Sequence, residues 1–134
     1  MALPIAHPLD EMMVSTSAAN LAAGSAVLRA PFKGRIVEVG SMIGSVLSTA
    51  DATVTPSIAG TAITGGAFVV AFTSSAIGDL DAASVSGVVA NGVTANSTIT
   101  GANTCLEGDL VRFAVTGGNA SGGPVHLYAV FRRG

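Results

Sequence analysis

From Ala22 onward the chain alternates apolar and polar residues in short runs cut by glycine- and proline-containing turns. In "LVRFAVT", Val111, Phe113 and Val115 alternate with Arg112, Ala114 and Thr116. In the closing "VHLYAVFRR", Val125, Leu127, Ala129 and Phe131 fall on one side, and His126, Tyr128, Val130 and Arg132 on the other. A period of two places successive side chains on opposite faces of a strand, so each run predicts a strand with one face turned inward.

The same reading applies upstream. "GSAVLRAPFKGRIVEVGSMIG" predicts an extended segment ending near Pro31, a turn at Lys33–Gly34, and a strand from Arg35 to about Ile43. In that strand Val37, Val39, Ser41 and Ile43 alternate with Ile36, Glu38, Gly40 and Met42. "DATVTPSIAGTAITGG" predicts a hairpin turning at Ala59–Gly60. "AFVVAF" reads as a strand buried on both faces, and "TSSAIGDLDAA" as turn or loop. Asn91–Gly92 marks a turn between β-forming runs, "EGD" at 107–109 a tight turn with Gly108 in an unusual backbone conformation, and "TGGNASGGP" a loop. About eight strand-like runs and no sustained 3.6-residue period predict an all-β, single-domain β-sandwich or barrel, jelly-roll-like in kind, over residues 21–134. Residues 1–20, with two prolines, an acidic pair and no strand-like alternation, read as an extended N-terminal arm, with folding back onto its own domain as the alternative.

Composition narrows the function more by exclusion than by signal. The 134 residues are enough for one domain without disulfides. A net charge of -2 and only 10% charged residues offer no basic footprint for nucleic acid or an anionic membrane. Ala52 to Gly78 contains no ionisable group, but its Pro56 and repeated Gly, Ser and Thr suit strands rather than a membrane helix. Cys105 is the sole cysteine, so no internal disulfide is possible, and it reads as buried filler. The N-terminus lacks a secretory pattern, which leads to an expectation of cytoplasmic synthesis.

Chemistry-bearing groups are sparse. Neither His7 nor His126 has a second histidine at ligand spacing, so no zinc or iron site is expected. Asp79 and Asp81 could place two carboxylates on one side of a loop, but without further ligands a solvated turn is the better reading. No phosphate-cradling or nucleophile-elbow motif follows any strand. "NST" at Asn96 and "NAS" at Asn119 read as turns. Trp is absent, Tyr128 is the only tyrosine, and the phenylalanines at 32, 68, 72, 113 and 131 read as core, so the aromatic platform of a sugar- or single-strand-binding face is missing. Neither an enzyme nor a cofactor is expected, which leaves a structural or assembly role.

In order, "LRAPFKGRIVEVGSMIG", "DATVTPSIAGTAITGG", "LEGDLVRFAVTGG" and "VHLYAVFRR" resemble the small head decoration, or cement, proteins of tailed bacteriophages. The resemblance implies a β-sandwich or barrel that binds the major capsid protein on the outer shell, often as a trimer, and reinforces it, so that the chain would reside on the virion surface. It transfers no single functional residue. The residues themselves suggest Ile5, Met12 and Met13 of the arm, and the basic Arg29, Lys33 and Arg35, as capsid contacts. A fibre, spike or tail subunit and a carbohydrate-binding β-domain are the alternatives.

Overall fold

The computed structural model describes residues 10–22, 24–48, 50–89, 95–117, 121 and 123–134. Among these there is no helix, and the chain forms eleven strands: β1 Glu11–Ala18, β2 Gly24–Arg29, β3 Gly34–Ile43, β4 Ala52–Ile58, β5 Thr61–Ala62, β6 Phe68–Val70, β7 Leu80–Ser84, β8 Ser97–Thr98, β9 Thr104–Cys105, β10 Leu110–Thr116 and β11 Val125–Arg133. They make two sheets. One runs β1-β11-β3-β7-β8, with β9 beside one end of β3; the other runs β2-β10-β4-β5, with β6 beside the other end of β4. All pairings but β7 with β8 are antiparallel.

The alternating faces meet in one core. Phe131, Leu127, Val39, Ile36 and Ile43 from the first sheet pack with Phe113, Val111, Val54, Phe68 and Val70 from the second. This is the β-sandwich predicted from the period-two runs. Full burial of each such side chain contributes about 1.5–3 kcal/mol, so the stability resides in this shared layer. The Ala59–Gly60 hairpin forms as predicted, with φ of 48° and 89° at its two central residues. Both values lie in the left-handed region that a two-residue β-hairpin turn demands.

Four expectations need correction. Glu11–Ala18, assigned to the arm, form an eight-residue strand along the sheet edge. Met12 and Val14 on its inner face pack against the core, and the whole strand pairs with β11, so these residues fold back on their own domain. "AFVVAF" is not buried on both faces: Val69 is exposed between buried Phe68 and Val70, and Phe72, assigned to the core, is exposed. β6 lies over one end of β4 only, which leaves its outer face open. Third, Leu80–Ser84, assigned to a loop, is β7, paired with β3.

The fourth concerns β3. Its pairing with β11 shifts between Val130 and Phe131: Val130 faces Glu38, whereas Phe131 faces Ile36. Val37 is thus an extra residue, a β-bulge that reverses the inside-outside phase. Ile36 joins Val39, Ser41 and Ile43 on the inner face, and Val37 is buried at the bulge. A strict period of two cannot show this. The Asn91–Gly92 turn lies outside the described residues, as do parts of the "TGGNASGGP" loop and Asn119 of the second sequon.

Candidate interaction surface

With the inner face committed to the core, the chemistry available to a partner lies on the outer surface. The outer face of the β1-β11-β3-β7 sheet is its most distinctive part. β3 presents Arg35, Glu38, Gly40 and Met42 there, β11 presents His126, Tyr128, Val130 and Arg132, and β7 presents Leu80, Ala82 and Ser84. Gly40 pairs directly with Tyr128. The glycine leaves room for the ring: a Cβ at Gly40 would lie 2.6 Å from the Tyr128 hydroxyl oxygen and 2.7 Å from a ring carbon. The ring folds down across the sheet, and its hydroxyl donates to Glu38 Oε2. Burial, then the Glu38 carboxylate, pushes the Tyr128 hydroxyl far above its ordinary pKa. It stays a neutral donor.

Around this pair lies a depression of about 440 Å³, whose apolar walls include Met13, Met42, Leu80 and Val89. A second one adjoins it, bounded by Glu38, Val85, Val88 and Arg132. The segment after β7 is held over the sheet by side-chain bonds. Ser84 Oγ donates to the Val88 carbonyl at 2.6 Å, and Ser86 Oγ to the same oxygen at 3.1 Å. The Val85 amide donates to the carbonyl of Val37 at the bulge, 2.9 Å away. Met13, Met42, Val85 and Val88 are left exposed on this face.

The contact candidates do not converge. Ile5 lies outside the described residues. Met12 turns inward and packs against the core, whereas its neighbour Met13 is 63% exposed on the outer face. Arg29 ends β2 in the other sheet, its guanidinium donating to the Gly108 carbonyl at 3.0 Å. Lys33 is exposed in the turn before β3, and Arg35 is exposed on the first sheet, across from Arg132. Glu38, Met42, Leu80 and Tyr128 were missed as site residues. Their shared face on each strand is visible in the alternation, but their convergence depends on β3 lying between β11 and β7.

The other titratable groups serve the fold. The aspartates of "AIGD" and "LEGD" build the same turn twice: Asp79 Oδ2 accepts from the Ala76 amide at 2.8 Å, and Asp109 Oδ2 from the Leu106 amide at 2.9 Å. The intervening Gly78 and Gly108 have φ of 89° and 84°, conformations that glycine adopts without strain. The "EGD" turn is as predicted. Asp81 does not join Asp79 in a loop. It sits in β7, where desolvation raises its carboxyl pKa, opposed by the hydrogen bond from Asn96 and reinforced by Asp79. Cys105 is buried and its thiol pKa is raised, first by desolvation and to a lesser degree by Asp109. Arg132 is ion-paired with Glu11, and Arg133 stacks 4.3 Å over the Phe32 ring. Among the described residues no group of three or more His, Cys, Asp or Glu could hold a metal ion. Comparison of the chain with protein-family models, curated proteins and solved structures finds no match in any of the three.

Proposed function

We propose that this chain is a structural virion protein that binds the major capsid protein on the outer surface of a tailed-phage capsid and stabilises the shell. The observation that carries the reading is the outer face of the first sheet, where Met13, Met42, Val85 and Val88 are exposed with polar groups around them. An exposed apolar patch of this kind is a mark of a protein contact. The strand order gives further support. Taken over the longer strands, β1-β11-β3-β7 faces β2-β10-β4-β6, which we read as a jelly roll, an architecture found in viral capsid and lectin domains. Fold analogy alone assigns no function. The sugar-binding alternative would need an exposed aromatic platform, and Tyr128 instead lies flat on Gly40 with 8% exposure.

The test is co-sedimentation of purified protein with empty shells of the major capsid protein, comparing the native chain with Met42→Glu. Saturable binding at a fixed ratio, weakened by the substitution, supports the reading. Failure of the folded native chain to bind removes it. Deleting the N-terminal segment is a poorer test, because truncation into β1 would remove Met12 and Val14 and uncover the core they pack against.

A further inference from the structure

Among the described residues, two strand edges on the same side of the sandwich, β1 in one sheet and β2 in the other, have no partner strand. The Arg133 amide donates to the Asp10 carbonyl at 2.8 Å, in register with Glu11 opposite Arg132. Antiparallel ladders alternate hydrogen-bonded and non-bonded pairs, so Met12, Val14, Thr16 and Ala18 face β11 with their backbone groups. The N–H and C=O of Glu11, Met13, Ser15 and Ser17 therefore point off the sheet. The same argument applies to β2. The Ala30 amide donates to the Asp109 carbonyl at 2.9 Å, in register with Arg29 opposite Leu110, which leaves the backbone groups of Ser25, Val27 and Arg29 pointing outward.

Natural sheets protect such edges with lysine, proline, bulges or short strands. β1 has none of these: it is eight residues long, pairs without a register shift, and contains neither lysine nor proline. The core beneath these two edges is also incompletely covered, since Met12 and Val14 on β1 and Ala26 on β2 are the partly buried apolar residues packed against it.

We propose that these edges join two copies of this chain, β1 of each pairing antiparallel with β2 of the other. The sequences are complementary in the register that places Glu11 opposite Arg29. On the outer face Met13, 63% exposed, then meets Val27, 46% exposed, and Ser15 meets Ser25. On the inner face Met12 meets Leu28 and Val14 meets Ala26, so the partly buried residues cover one another. Opposite charges and apolar pairs across strands are each stabilising. β1 ends at Ala18 and β2 begins at Gly24, too few residues for the chain to run back along the sheet, so the two strands run in opposite directions. A two-fold axis parallel to the strands therefore makes both junctions at once and keeps both antiparallel. The result is two continuous sheets and a dimer, in place of the trimer that the family resemblance implies. The inference does not rest on the capsid reading.

The test combines sedimentation equilibrium with residue-resolved amide hydrogen exchange on the full chain. Ser15→Pro removes an N–H that points off the sheet and so leaves the β1–β11 ladder intact. The native chain is expected to be a dimer at micromolar concentration, with the amides of Met13, Ser15, Val27 and Arg29 protected. Ser15→Pro is expected to be a folded monomer that loses protection at the remaining three while Val14 and Thr16 keep theirs. Met13→Lys, which touches no ladder bond, gives a second route to the monomer. Three results would overturn the proposal: a native monomer, an oligomer that survives both substitutions, or a dimer whose β1 and β2 edge amides exchange freely.

Discussion

Tyr128 lies across Gly40, its direct partner in the β3–β11 ladder, and its hydroxyl donates to Glu38 two residues along the same strand. An aromatic ring thus fills the place of a missing side chain and ties two strands together on the outer face. Gly40→Ala should cost about 1–3 kcal/mol through overpacking. Tyr128→Phe should cost about 1.5–3 kcal/mol through loss of a hydrogen bond to a charged group. Urea unfolding of both single variants and the double variant checks this, and strongly non-additive costs are expected because the two positions touch.

Ser41 is fully buried on the inner face between Leu127 and Asp81, and its hydroxyl has no hydrogen-bond partner among the described residues. Leaving such a group unsatisfied costs about 1–3 kcal/mol. Ser41→Ala is expected to raise stability by about 1 kcal/mol, visible as a higher denaturation midpoint at unchanged slope. A loss of stability would mean that the hydroxyl is satisfied in solution.

Asp81 gives the fold a pH dependence of definite sign. Its pKa is raised from 3.8 by desolvation, so between the two values the folded state binds more protons than the unfolded state. This contribution is fully present below the unfolded pKa and is lost as pH rises through the raised folded value. Asp81→Asn keeps an acceptor for Asn96 while removing the charge. The difference in stability between variant and native chain should therefore grow in the variant's favour from pH 3 upward and level off above the folded pKa. Thermal unfolding across that range measures it.

Cys105 is 4% exposed and its thiol pKa is raised by burial, so little thiolate is present or accessible in the native state. Alkylation by iodoacetamide should be slow in buffer and rapid in denaturant. Fast native labelling would show that the β9 end of the sandwich opens readily.

The Glu11–Arg132 ion pair joins the first strand to the last, with side-chain exposures of 47% and 42%. An exposed pair of this kind contributes about 0–1 kcal/mol. Glu11→Gln is expected to cost no more than that, with the difference vanishing in high salt.

Local pattern made much of the sandwich legible. The alternation in β10 and β11 identified every inward side chain correctly, and the positive-φ needs of Ala59–Gly60 and Gly108 marked two turns, because strand faces and tight turns are governed by neighbours in sequence. Three features depended on contacts remote in sequence. In β1 the inward Met12, Val14, Thr16 and Ala18 differ too little in polarity from the outward Glu11, Met13, Ser15 and Ser17 to read as a strand, and only pairing with β11 shows which of them face inward. The bulge at Val37 arises from matching β3 to β11, and it alone moves Ile36 inward. The outer face was legible strand by strand, whereas its site required β3 to lie between β11 and β7, which brings Glu38, Met42, Leu80 and Tyr128 together. By itself the sequence determined that the chain is all-β, which residues of its regular strands face inward, and how poor it is in reactive groups, since these follow from periodicity and composition. Only the tertiary structure decided which strands are neighbours, which edges remain open and which surface groups converge, because strand pairing is set by packing between residues far apart along the chain.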